Sequence, residues 1–259
     1  MIEGRRKTLA VLATVAAAYA GLRYFPDLGS TNLDFEDLQD PQGFRKLSAG
    51  ESSGSFDPFF GLNTADPDGL AAAEAQARAD ICGALYGDDR AEPSLVPVAF
   101  FTEYYCPYCP YCRVQTRTLA ALDARPDSNL RVIWHELPLL GKSSEVAAKA
   151  ALAAKRQGAY VAFHERLMRS LFVATPEYLQ ALALDIGVDY DRLVLDMQSG
   201  SVARELDNSA ALGRVFGIIG TPALVIGRTI IQGQVDEKTI LRVAEMEIEE
   251  GWASKCHAA

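Results

Sequence analysis

Three cysteines lie close together in the stretch FTEYYCPYCPYCRVQ, residues 101–115. They form two overlapping C-P-Y-C motifs that share Cys109: the first begins at Cys106 and the second ends at Cys112. Two thiols three residues apart at the start of a helix can close and open a disulfide, and the thiolate is the attacking species. The doublet therefore predicts thiol–disulfide chemistry and raises the question of which pair carries it.

Helix geometry favours the second motif. The pKa of a free cysteine, about 8.5, is lowered at a helix N-terminus. Proline suits the first helical position, whereas Pro110 would fall inside the first turn if Cys106 preceded the helix. We therefore expect Cys109 to be the nucleophile and Cys112 the resolving thiol, with Cys106 in a loop from which it can intercept a mixed disulfide. The first motif, Cys106 with Cys109, stays open as the alternative pair, and Cys109 belongs to the active pair in both interpretations.

A metal site is the competing interpretation of the same cysteines. The C-x2-C-x2-C spacing supplies the first three ligands of a bacterial iron–sulfur motif, but Thr116 stands at the fourth position. Neither a His-x-His nor a second CxxC motif completes a zinc site. Copper(I), which two or three thiolates can bind, stays open as the alternative, in a membrane-tethered copper(I)-binding protein or chaperone. No residue is assigned as a metal ligand.

The elements that would position the cluster follow from apolar periodicity and from Gly and Pro punctuation. They are a buried strand at 95–105, a helix to about 124, a strand at 130–137, a helical region at about 143–216 with Ser143 or Ser144 as its N-cap, two short strands between 221 and 233, and a helix from 236 to about 252. Within the helical region, Thr175 and Pro176 predict a capped helix start. The cysteines thus stand where a buried strand gives way to a helix.

Four segments in this order resemble the DsbA-like thiol–disulfide oxidoreductases of the thioredoxin superfamily. They are CPYCR at 109–113, WHELPLLGKSSEVAAKAALAAKRQGAYVAFHERLM at 134–168, the stretch at 188–227 that ends in GTPALVIG, and the closing helix. The resemblance implies an α/β thioredoxin-like fold with an inserted helical subdomain. It also implies protein-disulfide oxidoreductase activity without a dissociable cofactor, with protein thiols or disulfides as substrates and a membrane redox partner that resets the pair.

The resemblance also assigns roles around the cysteines. Thr221 and Pro222 match the cis-proline loop, where the backbone of Thr221 would hold an extended substrate beside the nucleophile. Tyr111, or Tyr108 in the other motif, stands where strongly oxidising relatives have His, so we expect a milder oxidant. Glu103 matches a buried acid that would handle the proton of the resolving cysteine, and the alternative is a solvated carboxylate at the strand end.

Three histidines and two further cysteines lie outside the cluster, and His257 follows Cys256 in the predicted tail. His135, on the second predicted strand, and His164, in the helical region, are expected to be structural rather than ligands. Cys82 could pair with Cys256 or with Cys106, and sequence does not determine connectivity.

The remainder of the chain bears on compartment and partners. The net charge of −9 over 259 residues argues against nucleic-acid binding. A basic run, residues 5–7, precedes an apolar run, residues 8–22, which predicts a signal peptide or an uncleaved membrane anchor over 1–25.

The predicted order of domains follows from these segments. We expect an extended tether over 26–92 with a helix near 69–86, a DsbA-like thioredoxin domain over 93–252 and a tail over 253–259. The protein is therefore expected in the periplasm, either soluble or anchored to the inner membrane, where disulfides persist.

Overall fold

A computed structural model describes residues 33–47, 67–87, 94–104, 110–170 and 173–256. The chain from Phe35 onward forms one compact unit. The strands of the described residues are β1 (Phe35–Asp37), β2 (Arg45–Leu47), β3 (Val96–Thr102), β4 (Leu130–Glu136), β5 (Ala223–Ile226) and β6 (Thr229–Gln232). They lie in one sheet in the order β1-β2-β6-β5-β3-β4.

Helices connect and flank these strands. They are α1 (Pro67–Ala79), α2 (Ile81–Tyr86), α3 (Pro110–Asp123), α4 (Lys142–Lys155), α5 (Tyr160–Arg169), α6 (Pro176–Ile186), α7 (Tyr190–Met197), α8 (Gly200–Val215), α9 (Glu237–Glu249) and α10 (Trp252–Cys256). The five helices from α4 to α8 occupy the predicted helical region between β4 and β5. Within the described ranges, no helix has both the length and the apolar character needed to span a bilayer.

Strand β3 organises the sheet around the candidate site. Its sequence VPVAFFT is apolar almost throughout and buried along its whole length, as expected for a strand covered on both faces. It pairs in parallel with β4, which places Thr102 opposite Glu136, and antiparallel with β5, which places Phe101 opposite Ala223. The end of β3, the end of β4 and the start of β5 therefore meet at one edge of the sheet.

Helix boundaries agree with the sequence where side chains cap them. The predicted start at Thr175 is confirmed, because its side chain accepts a hydrogen bond from the backbone N–H of Tyr178 and Pro176 follows it. The predicted serine cap of α4 is wrong: the helix begins at Lys142 after Gly141, and Ser144 is buried inside it. The hydroxyl of Ser144 has no hydrogen-bond partner among the described residues, and the rest of the buried face is almost entirely alanine. A capping residue type therefore did not mark this boundary.

The segment predicted as a tether contributes two strands to the sheet. β1 and β2 form an antiparallel pair, and β2 then runs parallel to β6 with Arg45 opposite Thr229. The guanidinium of Arg45 donates to Glu247 at 2.8 Å, which anchors the pair to α9. Three-residue strands with the sequences FED and RKL carry no apolar alternation, so the sequence pattern did not reveal them.

A disulfide joins helix α2 to the last helix, α10. Cys82 and Cys256, 174 residues apart, are bonded, which confirms one of the two pairings left open by the sequence. Trp252 packs edge-to-face against Tyr86 at 6.2 Å between ring centroids. Residues 253–256 therefore belong to helix α10 rather than to the predicted tail. The predicted helix near 69–86 is broken at Asp80, whose carboxylate caps α2.

Candidate redox site

The predicted site lies partly outside the described residues. Cys106, Tyr108 and Cys109 fall in the range 105–109, which the structure does not describe, and the N-terminal segment 1–25 also lies outside. Cys112, Tyr111, Glu103, Thr221 and Pro222 are described, and all of them lie at or near the edge of the sheet where β3 ends.

Helix α3 begins at Pro110 and carries Cys112 in its first turn. Proline at the first helical position removes an N–H that has no partner within the helix. The first turn contains no acidic side chain, so no carboxylate competes there with a thiolate for the N-terminal amide groups. Cys112 itself is only 2% exposed. The buried side chain of Gln115 accepts from the backbone N–H of Val235 at 3.0 Å and fixes this end of the helix to the loop before α9.

The loop before β5 approaches the same edge of the sheet. The peptide bond between Thr221 and Pro222 is cis, as the resemblance implied, and Thr221 is buried. The carbonyl of Pro222 accepts from the backbone N–H of Gly233 at 2.8 Å. Because Ala223 pairs with Phe101 near the end of β3, Thr221 and Pro222 lie at the edge of the sheet where β3 ends.

The carboxylate of Glu103 accepts hydrogen bonds from the backbone at this edge of the sheet. One carboxylate oxygen accepts from the N–H of Tyr104 at 2.6 Å, and the other accepts from the N–H groups of Leu139 and Leu140 at 2.5 and 3.0 Å. Glu103 is 3% exposed, so the alternative of a solvated carboxylate is wrong. The N–H groups of Leu139 and Leu140 thus hold the end of β3 against the loop that follows β4.

Five buried side chains form a hydrogen-bonded group behind the site, here called the Glu136 cluster. Its members are Tyr104, Thr116, Glu136, Tyr160 and His164. The hydroxyl of Tyr104 lies 2.5 Å from a carboxylate oxygen of Glu136 and 2.5 Å from Nδ1 of His164. Tyr160 donates to the same oxygen of Glu136, and Thr116 Oγ1 lies 3.2 Å from Nε2 of His164.

Burial and charge keep the two phenols of the cluster protonated. The pKa values of Tyr104 and Tyr160 are raised well above their ordinary value, first by burial and then by the negative charge of Glu136. Both hydroxyls are therefore donors at any physiological pH. Sequence reasoning missed the cluster, although its members Glu136, Tyr160 and His164 all lie in the segment 134–168 that carried the family resemblance.

His135 has a different environment although it precedes Glu136 on β4. Its Nε2 lies 2.9 Å from the carbonyl of Leu85, so this nitrogen carries the proton, and Nδ1 lies 3.2 Å from Ser209 Oγ. Burial lowers the pKa of His135 to about 4. Both His135 and His164 have hydrogen-bonding partners in the protein interior, in line with the expectation of structural roles. His164 is hydrogen-bonded to Thr116 of α3, whereas the partners of His135 are Leu85 and Ser209.

Metal ligation can be judged for the described residues alone. Within them, no three His, Cys, Asp or Glu side chains are grouped so as to hold a metal ion. Cys106 and Cys109 lie outside those residues, so this observation does not cover the C-x2-C-x2-C cluster.

Comparison with known proteins agrees with this geometry. A family model described as the DSBA-like thioredoxin domain matches residues 97–243. A solved thioredoxin-like oxidoreductase from Silicibacter pomeroyi is 33% identical, with a TM-score of 0.55 and coverage of 65% of this chain and 97% of that one. The catalytic domain of Proteus mirabilis ScsC is 28% identical, with a TM-score of 0.54 and coverage of 67% of this chain and 98% of that one.

A curated relative is similar over a comparable part of the chain. It is the Na⁺/H⁺ antiporter NhaA of Herminiimonas arsenicoxydans, which is 26% identical over 161 residues, or 62% of this chain. The chain spans 25% of that protein's length. The solved relatives and the family model confirm the predicted thioredoxin-like α/β fold with its helical insertion. Since the family model extends from β3 into α9, the chain belongs to the family of DsbA-like thioredoxin domains.

Proposed function

We propose that the protein is an exported thiol–disulfide oxidoreductase that exchanges disulfides with protein substrates through Cys109 and Cys112. The observation that carries the proposal is the start of α3. The helix begins at Pro110, the residue after Cys109, and it holds Cys112 buried in its first turn, at the sheet edge that also carries Thr221 and Pro222. A sulfur at this position is favoured as a thiolate by the N-terminal amide groups of the helix.

The exchange runs through a mixed disulfide. A substrate thiolate attacks the sulfur of Cys109 in the Cys109–Cys112 disulfide, so that the bond between substrate and Cys109 forms while the bond between the two cysteines breaks. Cys112 leaves as a thiolate and takes up a proton. A second substrate thiolate then attacks the substrate sulfur and releases Cys109 as a thiolate. The substrate loses two electrons to the pair, and the reverse sequence reduces a substrate disulfide.

Residues around the pair would hold the substrate and set the driving force. The backbone of Thr221, next to the start of β5, would bind an extended substrate segment as an added strand. Tyr111 brings no positive charge to the motif, so the thiolate is stabilised mainly by the helix amides and the pair is a mild oxidant. Glu103, which fixes the end of β3 through three backbone N–H groups, would keep the cysteine loop in register.

Export is supported by two features of the chain. The basic and apolar pattern of residues 1–25 is typical of a signal peptide or a membrane anchor. The buried disulfide between Cys82 and Cys256 is a kind of bond that persists in oxidising compartments such as the periplasm. In that compartment a membrane redox partner would return the pair to its starting state, and protein thiols or disulfides would be the substrates.

Substitution of single cysteines tests the proposal. Cys109→Ser should lower the rate of insulin disulfide reduction by about 100-fold or more, because it removes the cysteine that both motifs share. Cys112→Ser and Cys106→Ser are a matched pair: the first should accumulate mixed disulfides with substrate, which mass spectrometry detects, and the second should not.

Two outcomes would contradict the proposal. An unchanged rate of insulin reduction by Cys109→Ser would show that Cys109 is not the nucleophile. Tight copper(I) uptake by the wild-type protein without any disulfide exchange would identify the cysteine cluster as a metal-binding site instead.

A further inference from the structure

The buried face of α3 connects the redox site to the Glu136 cluster. Thr116 follows Cys112 by four residues, so the two side chains are neighbours on the helix surface. Both are buried, and Cys112 packs in the same apolar core cluster as Tyr104 and Tyr160. From Thr116 Oγ1 the next polar atom is Nε2 of His164 at 3.2 Å.

The hydrogen bonds of the cluster have a defined order. The hydroxyls of Tyr104 and Tyr160 both donate to Oε1 of Glu136, because the carboxylate oxygen can only accept. The single proton of Tyr104 is then used, so its oxygen accepts from Nδ1–H of His164. The other ring nitrogen accepts from Thr116 when the ring is neutral and donates to it when the ring is charged. A continuous chain therefore leads from Thr116 to Glu136.

Glu136, at the end of this hydrogen-bonded chain, has a carboxylate oxygen that can accept a proton. Its second oxygen, Oε2, is buried and has no hydrogen-bond partner among the described residues. In the same part of the chain the ion pairs of Glu136 include no lysine or arginine, and its one charge partner is His164 at 3.3 Å. A buried carboxylate is costly when its charge is not balanced. A proton on His164 or on Oε2 would provide that balance.

Cys112 gains or loses a proton in each half of the exchange, although it is 2% exposed to solvent. We propose that Glu136 and His164 hold an exchangeable proton for Cys112, which reaches it through Thr116. This inference rests on the proposed function. Glu136 and His164 are positioning residues in this scheme, because they act through Thr116 and do not touch the substrate.

The other charged groups around the cluster are already paired. Glu103, at the end of β3, accepts from three backbone N–H groups. Glu205 of α8, which acts electrostatically on Tyr160, forms salt bridges with Lys155 and Arg156 at the end of α4. On α3 the titratable neighbour is Cys112 itself. The proton of the cluster is thus linked to the redox pair more directly than to any surface charge.

Trp134 can report the charge on His164. Its ring lies 5.6 Å from His164 and 5.1 Å from Tyr160, measured between centroids. The chain has two tryptophans, and the other is Trp252 beside Tyr86. Nε1 of Trp252 has no hydrogen-bond partner among the described residues, so Trp252→Phe removes no hydrogen bond seen in them. In that background Trp134 is the one fluorophore of its kind, and a protonated imidazole quenches it.

The test is a pH titration of Trp134 fluorescence in Trp252→Phe protein, oxidised with glutathione disulfide and reduced with glutathione. The midpoint of the fluorescence change should be higher in the reduced protein, because a thiolate at Cys112 accepts a hydrogen bond from Thr116 and thereby favours a proton on His164. We expect a difference of about half a pH unit or more, which is about threefold in proton affinity. By reciprocity, the equilibrium constant with glutathione should change by the same factor across that pH range.

Matched variants assign the coupling. Thr116→Val keeps the shape but removes the hydroxyl link and should abolish the difference between redox states, whereas Thr116→Ser should restore it. His135→Gln, which changes the adjacent buried histidine outside the cluster, should leave the difference intact. Equal midpoints in both redox states, in protein that exchanges with glutathione, would overturn the inference alone. A protein that does not exchange with glutathione would overturn the proposed function and this inference with it.

Discussion

Glu136 and Glu247 are both buried, at 1% and 0% exposure, but they lie at opposite edges of the sheet and are stabilised in different ways. Glu136 ends β4 opposite Thr102, the last residue of β3, whereas Glu247 bonds to the turn after Ile226, which pairs with Val98 near the start of β3. Around Glu247 stand two guanidinium groups, a hydroxyl and a backbone N–H. Its partners are Arg45, Arg228 and Thr229.

Glu247 has partners with a fixed charge, whereas the partners of Glu136 can exchange protons. Arginine stays protonated at any physiological pH, so Glu247 is permanently neutralised by its partners and its role is to hold β2, β6 and α9 together. Glu136 is surrounded by hydroxyls and an imidazole, and one of its oxygens lacks a partner among the described residues. Burial alone therefore does not identify a functional carboxylate, and the chemistry of its neighbours does.

Removal of Glu247 should have the largest effect on stability. Glu247→Ala leaves Arg45 and Arg228 largely buried without their main partner, and it should lower the free energy of unfolding by about 3–5 kcal/mol. Urea denaturation measures this value. Glu250→Ala is the control, since Glu250 binds the same two arginines from a position that is 34% exposed and should cost about 1 kcal/mol or less. Equal costs for the two variants would remove the distinction between buried and exposed partners at this edge.

A second test concerns His135, which precedes Glu136 on β4, and its effect on the pH dependence of stability. The pKa of His135 is about 4 in the folded protein, below its value of 6.5 in the unfolded chain. The unfolded state therefore binds more protons as the pH falls, so this contribution to stability is complete above pH 6.5 and is lost progressively toward pH 4. The total loss is about 3 kcal/mol. In urea denaturation series at several pH values, His135→Gln should remove this part of the slope, and an unchanged slope would refute the assignment.

The smallest effect on stability, and the largest on redox behaviour, is expected for Glu136. Glu136→Gln keeps an oxygen that accepts from both tyrosines, so the free energy of unfolding should fall by only about 1–3 kcal/mol. The same variant should flatten the pH dependence of the glutathione equilibrium constant. Glu247→Ala should leave that dependence as in the wild type. The opposite pattern, with the redox effect at Glu247, would break the comparison.

Much of the fold could be predicted because its elements carry local signals. β3 is a continuous apolar run, α6 starts at a Thr-Pro cap, and β5 follows the Thr221–Pro222 motif. The β1–β2 pair could not be predicted in this way, since its residues are polar and its anchor joins Arg45 to Glu247, 202 residues apart. Contacts of that kind depend on the completed sheet rather than on the pattern of either segment.

In the candidate site, too, the part with a local sequence signal was predicted and the part without one was not. The position of Cys112 in the first turn of α3 followed from helix geometry and from the placement of Pro110. The Glu136 cluster did not, because tyrosine, threonine and histidine at isolated positions have no periodic signal. Its members converge through the pairing of β3 with β4 and the packing of α3 on α5. The family resemblance marked the segment that contains Glu136, Tyr160 and His164 but assigned them no role in the site.

The central claim is that Cys109 and Cys112 are the exchanging pair, and identification of the cysteines that respond to glutathione tests it most directly. Chymotrypsin can cleave after Tyr105, Tyr108 and Tyr111, which separates the three cysteines of the cluster for mass spectrometry. Because residues 106–108 and 109–111 are both Cys-Pro-Tyr, Cys106→Ser protein is mapped beside the wild type, so that a fragment bonded to Cys112 is assigned to Cys109. The account predicts that a Cys109–Cys112 bond forms and disappears with the glutathione ratio while Cys82–Cys256 stays oxidised. A labile Cys106–Cys109 bond, or exchange confined to Cys82–Cys256, would contradict it.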